Sequence, residues 1–283
     1  MNNNEPLLTE TAEEITELHT DKTAADSAAV LPRNYRKARI LTLSGMAIII
    51  IVTALLLFLL PRSVGVYTYT PDAKILLYHL VSDETYGDNE YLFVREADFE
   101  AQLAKIAELG LTTVFADELA EAGDGPFVVI TFDDGYVDNY TTVLPLLRKY
   151  NMKATVFLIP DMVGKEGHLT EEQIREMAES GHFHFGSHTQ SHKMLTTIDG
   201  TAVMDELTAS RAYIEALTGM KITALAYPNG NYNLNVQYAA AEAGYRYCYT
   251  TEVPKDSIYE NTRLPRHYVG RETTMAEFLD LLK

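Results

Sequence analysis

The sequence predicts an α/β fold, a (β/α) barrel of seven or eight strands preceded by one transmembrane helix. Three observations carry this expectation. From Lys74 onward, short β-branched apolar runs alternate with amphipathic segments of helical period, the pattern of a parallel sheet with crossover helices. Four helical segments have a glycine just past their end (Gly110, Gly181, Gly219 and Gly244), where a helix C-terminus favours a left-handed residue. Polar residues capable of chemistry collect at the C-terminal ends of the apolar runs, the face on which barrel enzymes build their sites. An open doubly wound sheet is the alternative arrangement of the same units. No glycine-rich phosphate loop of the dinucleotide or P-loop type is present.

The strands are expected over 75–81, 112–115, 128–132, 154–159, 183–187, 222–227, 245–250 and 264–269. Helices are expected over 99–109, 137–150, 171–180, 201–217 and 236–243. Thr170 before Glu171-Glu172-Gln173 reads as a capping box. Residues 74–283 form the catalytic domain in this division.

Ahead of that domain, residues 1–31 carry seven acidic residues and one lysine, with few large apolar side chains. Such a segment buries too little surface to offset chain entropy and is expected to be disordered. Arg33, Arg36, Lys37 and Arg39 close this tail at residue 39. Residues 40–60 then run without a charge, and a helix of 21 residues would be about 31 Å long, enough to span the bilayer's hydrocarbon core. Pro61 and Arg62 come next rather than a small-residue cleavage site, so the span is read as a retained anchor and 61–73 as a linker. Four basic residues precede the span and one follows. The positive-inside rule therefore puts the N-terminus in the cytoplasm and the catalytic domain outside the cell, on a single-pass anchor in the cell membrane.

Composition narrows the partners. A net charge of -17 over 283 residues argues against nucleic acid, because phosphate contacts need a basic surface. Cys248 is the only cysteine, so neither an intrachain disulfide nor a cysteine-based zinc cluster is possible.

The chemistry centres on Val128-Val-Ile-Thr-Phe-Asp-Asp-Gly-Tyr136. Neighbouring side chains in a strand point to opposite faces, so Asp133 and Asp134 can share a site only where the chain leaves the strand, and Gly135 permits that turn. His188 and His192 are four apart, so one helical turn after the strand would set both imidazoles on one face. With one of the two carboxylates they would offer two nitrogens and an oxygen to a divalent metal, zinc or a comparable first-row ion, and leave coordination positions open. Other strand ends carry Leu76-Leu-Tyr-His79, Ala226-Tyr-Pro-Asn-Gly230 and Leu264-Pro-Arg-His-Tyr268.

Thr131-Phe-Asp-Asp-Gly135 followed by His188-Thr-Gln-Ser-His192 resembles the first two motifs of the NodB-homology polysaccharide deacetylases, carbohydrate esterase family 4. The likeness runs from about Ile75 to the C-terminus. The His79 and Asn229 segments resemble the poly-N-acetylglucosamine deacetylase branch in particular. The resemblance implies a distorted (β/α) barrel and a metal-dependent hydrolase that removes N-acetyl groups from peptidoglycan or poly-N-acetylglucosamine. It implies Asp134, His188 and His192 as ligands of Zn2+, with Co2+, Ni2+ or Mn2+ as alternatives. It gives Asp133 the general base, the backbone N–H of Asn229 the oxyanion, and His79 or His267 the general acid, of which His79 is favoured.

Two departures stand out. Ala226 occupies the position where the wider family carries an arginine that orients the base, and Arg266 is the candidate replacement. The tryptophan-bearing fourth motif is missing, since the chain has no tryptophan, and Tyr245, Tyr247 or Tyr249 are candidates for an aromatic wall. Among loop tyrosines, Tyr86, Tyr91, Tyr227 and Tyr232 could stack on sugar rings. His182 and His184 are read as structural. The competing functions are an O-acetyl polysaccharide esterase using the same site, a non-catalytic glycan-binding relative, and an iron oxygenase. The adjacent Asp133 speaks against the last, because an oxygenase needs no base beside its carboxylate ligand.

Overall fold

A computed structural model describes residues 46, 48–52, 74–85, 89–119, 122, 126–251 and 260–283. The chain divides into two compact units, Met1–Arg62 and Ser63–Lys283. In the first, residues 46 and 48–52 are helical and exposed. The remainder of the expected span 40–60, the tail 1–39 and the linker 61–73 lie outside the described residues. Among the described residues no helix is long and apolar enough to cross a membrane.

The second unit contains strands β1 (Lys74–Tyr78), β2 (Leu80–Val81), β3 (Phe93–Val94), β4 (Thr112–Val114), β5 (Phe127–Asp134), β6 (Ala154–Leu158), β7 (Phe183–Ser187), β8 (Ala224–Ala226), β9 (Tyr247–Thr250), β10 (Leu264–Pro265) and β11 (His267–Tyr268). Helices α1 (Glu96–Glu108), α2 (Leu144–Tyr150), α3 (Glu171–Glu179), α4 (Gly200–Thr218), α5 (Leu234–Glu242) and α6 (Met275–Leu281) lie between or after them. All pairings between these strands are parallel, and β1, β5, β6, β7, β8 and β9 lie side by side in that order. The last stretch, 264–268, closes the ring. Its first half, β10, pairs with β9 and its second half, β11, pairs with β1. Arg266 sits at the hand-over.

The barrel is distorted at β4. This strand pairs with the first three residues of β5, on the edge whose upper part pairs with β6, so it lies beside the ring rather than between β1 and β5. Seven strands in the ring and one beside it, among the described residues, reconcile the expected count of seven or eight. β2 and β3 form a small separate ladder just after β1 in the chain.

Strand parity sorts the core into two layers. Ile75, Phe127, Val129, Phe157, Ala224, Ala226, Tyr247, Tyr249 and Leu264 pack together as one cluster, the filling of the barrel. Their strand neighbours Leu76, Val128, Ile130, Val156, Leu225 and Cys248 belong to a second cluster with Phe99, Leu103, Leu147, Ile174, Leu207 and Val236 from the surrounding helices. Strands buried on both faces explain the unbroken apolar runs in the sequence. The four anticipated glycines all take positive φ, from 68° to 92°. Thr170 and Gln173 form the expected reciprocal cap of α3. The expected helix over 137–150 is instead a π-helical turn, Asn139–Val143, leading into α2.

Candidate active site

The inward parity of β5 runs Phe127, Val129, Thr131, Asp133, so the Asp133 side chain continues the barrel filling at its C-terminal end and is 3% exposed. Asp134 would point outward in a regular strand. It takes φ 72° instead, and Gly135 comes next at φ 75°. Two consecutive left-handed residues break the alternation and swing the second carboxylate to the same face as the first. Aspartate tolerates that conformation better than most residues. A side chain at 135 is excluded on two counts, because besides the positive φ a Cβ would lie 2.7 Å from Leu158 Cδ2. The sequence placed the turn at Gly135; the structure begins it one residue earlier.

His188 and His192 meet Asp134 at the end of β7. Asp134 Oδ1 lies 3.6 Å from His188 Nε2 and 3.8 Å from His192 Nε2. The expected helical turn between the two histidines is absent. Residues 188–194 are an irregular loop in which Thr189 and His192 both have positive φ, 65° and 61°. Glu206 on α4 holds this loop, accepting from the Ser191 N–H at 2.8 Å, the Ser191 hydroxyl at 2.6 Å and Lys193 Nζ at 2.9 Å. Sequence pattern could not single it out, because it is one of many carboxylates on helices.

The three side chains fit a divalent metal. One donor atom from each of Asp134, His188 and His192 lies within 4.8 Å of the others. Ligand atoms about 2.0–2.1 Å from a tetrahedral zinc stand about 3.4 Å apart, close to the spacings here. His188 Nδ1 donates to the Ala226 carbonyl at 2.8 Å, which leaves the Nε2 lone pair facing the carboxylates. Burial lowers the His188 pKa from its ordinary value and favours that neutral form. Asp134 Oδ1 is buried without a hydrogen-bond donor, an unused acceptor at the centre of the group.

Arg266 reaches Asp133 from the closing strand. Nη1 donates to Oδ1 and Nη2 to Oδ2, each at 2.7 Å, and Nη1 also approaches Thr131 Oγ1 at 3.3 Å. The fork-on-fork geometry fixes the plane of the carboxylate. Burial alone would raise the Asp133 pKa, but the charges of Arg266 and His188 outweigh it and hold the carboxyl well below the usual range. The contact expected from sequence as a substitute at Ala226 is therefore present. Ala226 is buried, and its carbonyl orients His188.

The two candidate histidines separate. His79 lies just past β1, and the charges of Asp133, Asp134, Arg266 and His192 all act on it. Burial lowers its pKa, and the two carboxylates pull it back up. His267 stands on the opposite side of the closing strand from Arg266; half-burial and the Lys74 ammonium lower its pKa. Tyr268 has the parity of Arg266, and its ring centroid is 6.2 Å from that of His79.

Beneath His79 lies a polar brace not anticipated from sequence. Asp138 Oδ2 accepts the Val81 N–H at 2.7 Å, and Asn139 Nδ2 donates to the His79 carbonyl at 3.4 Å. Both begin the π-helical turn after Gly135, so the segment carrying Asp133 and Asp134 also holds the one carrying His79. The signal available in the sequence was Asp138-Asn139 on the turn side of a helix, four residues after the aspartates.

Asn229 is exposed at φ 56° in a tight turn three residues after the carbonyl that orients His188. Tyr245, Tyr247 and Tyr249 form no wall. All three are buried, and the hydroxyls of Tyr245 and Tyr249 donate to the Leu207 and Ala116 carbonyls. Alternation and helix packing turned them into core. Tyr227 is also buried, its hydroxyl on the Thr262 carbonyl, whereas Tyr91 is exposed and Tyr86 lies outside the described residues. His182 bonds the Met152 carbonyl, and His184 bonds Asp117 while stacking on Phe115, so neither is engaged with Asp133 or Asp134.

Comparison with known proteins gives the same picture. Residues 120–248 match the polysaccharide deacetylase family, a span that holds Asp133, Asp134, His188 and His192 but excludes His79 and Arg266. The protein YxkH of Bacillus subtilis (strain 168) is 36% identical over 184 residues, 63% of this chain and 64% of that protein. The poly-beta-1,6-N-acetyl-D-glucosamine N-deacetylase of Staphylococcus epidermidis is 30% identical over 161 residues, 51% of this chain and 55% of that protein. This chain thus spans less than two thirds of the length of either curated relative. The crystal structure of BC0361, a polysaccharide deacetylase from Bacillus cereus, superposes with a TM-score of 0.66 at 27% identity, covering 75% of this chain and 69% of that one. Sequence over the motif-bearing span and fold over three quarters of the chain agree, and both make this barrel similar to the NodB-type polysaccharide deacetylases.

Proposed function

We propose that this protein is a metal-dependent deacetylase that removes N-acetyl groups from an extracytoplasmic glycan, peptidoglycan or poly-N-acetylglucosamine. The observation that carries the reading is the pair of aspartates on one face, one paired with Arg266 and the other grouped with two histidines. Asp134, His188 and His192 would hold the metal, zinc being the best match to two imidazoles and a carboxylate. Such a cation, when bound, acidifies water and polarises the acetyl carbonyl.

The chain's own groups supply the remaining steps. Asp133 stays ionised through the neutral range and accepts a proton from the attacking water, its plane set by Arg266. The N–H of Asn229 meets the oxyanion as the carbonyl carbon becomes tetrahedral. A carboxylate held this low is a weaker base than an imidazole, so the proton passes on to His79. His79 then delivers it to the amine nitrogen as the C–N bond breaks, releasing acetate and a free amine. Resemblance to a poly-N-acetylglucosamine deacetylase supports the amide over the ester as the bond cleaved. The uncharged run 40–60 supports a membrane anchor that keeps the domain on the outer side of the cell membrane, near a surface polymer.

The full-length chain, purified in detergent and supplied with zinc or cobalt, should release acetate from N-acetylglucosamine oligomers. Asp133→Asn should keep the metal but lose roughly 10²–10⁴-fold in turnover. His188→Ala should lose metal and turnover together. Full activity in Asp133→Asn would overturn the mechanism, and release from acetylated xylan with none from the oligomers would replace the amidase by an O-acetyl esterase.

A further inference from the structure

A groove of about 370 Å³ has Tyr91, Tyr268, Gly270, Arg271, Thr273 and Glu277 in its lining, and Tyr268 is the lining residue whose ring faces the His79 segment. We propose that the groove is a glycan subsite that seats the sugar residue next to the one being deacetylated, with the Tyr268 ring as its floor. The inference rests on the glycan deacetylase reading above and adds which part of the polymer is gripped.

Four observations support it. Tyr91 and Tyr268 are 58% and 41% exposed and line the same groove. The Tyr268 ring is one step from the reaction centre, its centroid 6.2 Å from that of His79, a separation comparable to one sugar residue. The ring is fixed in place. Its hydroxyl donates to the Tyr91 carbonyl, and a Cβ on Gly270 would fall 2.6 Å from the Tyr268 hydroxyl and 2.7 Å from Cε1, so only glycine leaves room for it. The segment beyond is braced as well, with Arg271 Nε 3.0 Å from Glu90 and Arg95 donating to the Arg271 carbonyl at 3.3 Å. The Tyr268 ring is therefore held before any ligand arrives, and little ordering cost remains there at binding.

The lining suits a sugar. A pyranose presents C–H groups on its faces and hydroxyls around its rim, so it calls for a flat apolar platform edged by polar groups. Tyr268 and Tyr91 supply aromatic surface, and Thr273 and Glu277 supply the edge, with Thr273 Oγ1 accepting the Gly270 N–H and Glu277 Oε2 accepting from Thr274, which leaves the Thr273 hydroxyl hydrogen and Glu277 Oε1 for a ligand. The cavity is in the size range of small-ligand sites.

The test compares short and long substrates. In the full-length protein with zinc, Tyr268→Ala should raise KM for the N-acetylglucosamine pentamer about tenfold. Its kcat, and both constants for a single-sugar acetyl substrate, should stay within about twofold of wild type. Tyr268→Phe should keep most of the affinity because the ring face remains, and Tyr91→Ala should shift KM for the pentamer in the same direction. Equal loss on short and long substrates would mean that Tyr268 acts through His79, and that would overturn the subsite. An unchanged KM for the pentamer would overturn it too. Calorimetric binding of the pentamer separates this from failure of the enzymatic reading. If wild type binds and Tyr268→Ala does not, the subsite stands even without turnover; if wild type does not bind, it falls.

Discussion

Asp133 and Arg266 are 133 residues apart in sequence and share two hydrogen bonds of 2.7 Å in the interior of the barrel. Removing one partner of such a pair leaves the other charge buried and uncompensated, which typically costs about 3–5 kcal/mol. Arg266→Met should therefore destabilise the domain by about that amount at pH 7. The sign of its pH dependence is set by Asp133. A carboxyl depressed in the folded state adds stability above its unfolded pKa and loses that contribution as pH falls towards its folded pKa. The gap between wild type and Arg266→Met in urea denaturation should thus narrow as pH drops from 7 to about 3, while Arg266→Met/Asp133→Asn should recover much of the loss. A gap independent of pH would show that lost packing rather than lost charge compensation is responsible. Parity made this pair partly legible in the sequence, since Leu264, Arg266 and Tyr268 share one side of a strand and His267 takes the other. Which partner Arg266 would find could not be read, because that depends on β10 and β11 dividing their pairing between β9 and β1.

At the scale of elements, apolar period and capping chemistry made the strands, the α3 cap and the helix C-terminal glycines readable, because each is encoded within a few neighbouring residues. The segment after Gly135 was not readable in this way. Residues 138–143 have a helical pattern, yet they form a π-helical turn whose first residues face the His79 segment rather than solvent. Likewise the His188–His192 spacing suggested a helical turn, whereas Glu206 from a different helix sets an irregular loop. Long-range hydrogen bonds decided both, and neither leaves a local period. The brace makes its own prediction. Burial, opposed by the Val81 N–H and Asn139, pushes the Asp138 carboxyl up to about 7. An acid whose folded pKa is raised binds more protons folded than unfolded, so stability falls as pH rises from the ordinary carboxyl range near 4 to about 7. The full effect is on the order of 4 kcal/mol at most. Asp138→Asn keeps an acceptor for Val81 without a charge. It should lie close to wild type at pH 4 and become more stable than wild type by pH 8, as read by chemical denaturation. Equal stabilities at both pH values would show that Asp138 is not raised in the folded protein.

On the scale of the whole domain, no single element owns the site. The proposed metal ligands come from the ends of β5 and β7, the proposed acid from the end of β1, and the arginine from the closing strand. Such a set exists only when the ring is assembled, so metal affinity belongs to the folded state and binding must stabilise it. For a ligand that binds the folded form alone, free metal at 100 times its Kd adds about 2.7 kcal/mol. Zinc in that excess should therefore raise the Tm of the full-length chain, and chelation should return it to the metal-free value. His188→Ala and Asp134→Asn should lose the zinc-dependent rise, because each removes or neutralises a ligand. Asp133→Asn should retain it, since the proposed metal set does not include Asp133. This last variant separates the two aspartates, whose different roles the motif resemblance implies and whose side chains the left-handed turn at Asp134 brings to one face. A zinc-dependent rise that persists in His188→Ala, or disappears in Asp133→Asn, would reverse the division of labour proposed for them.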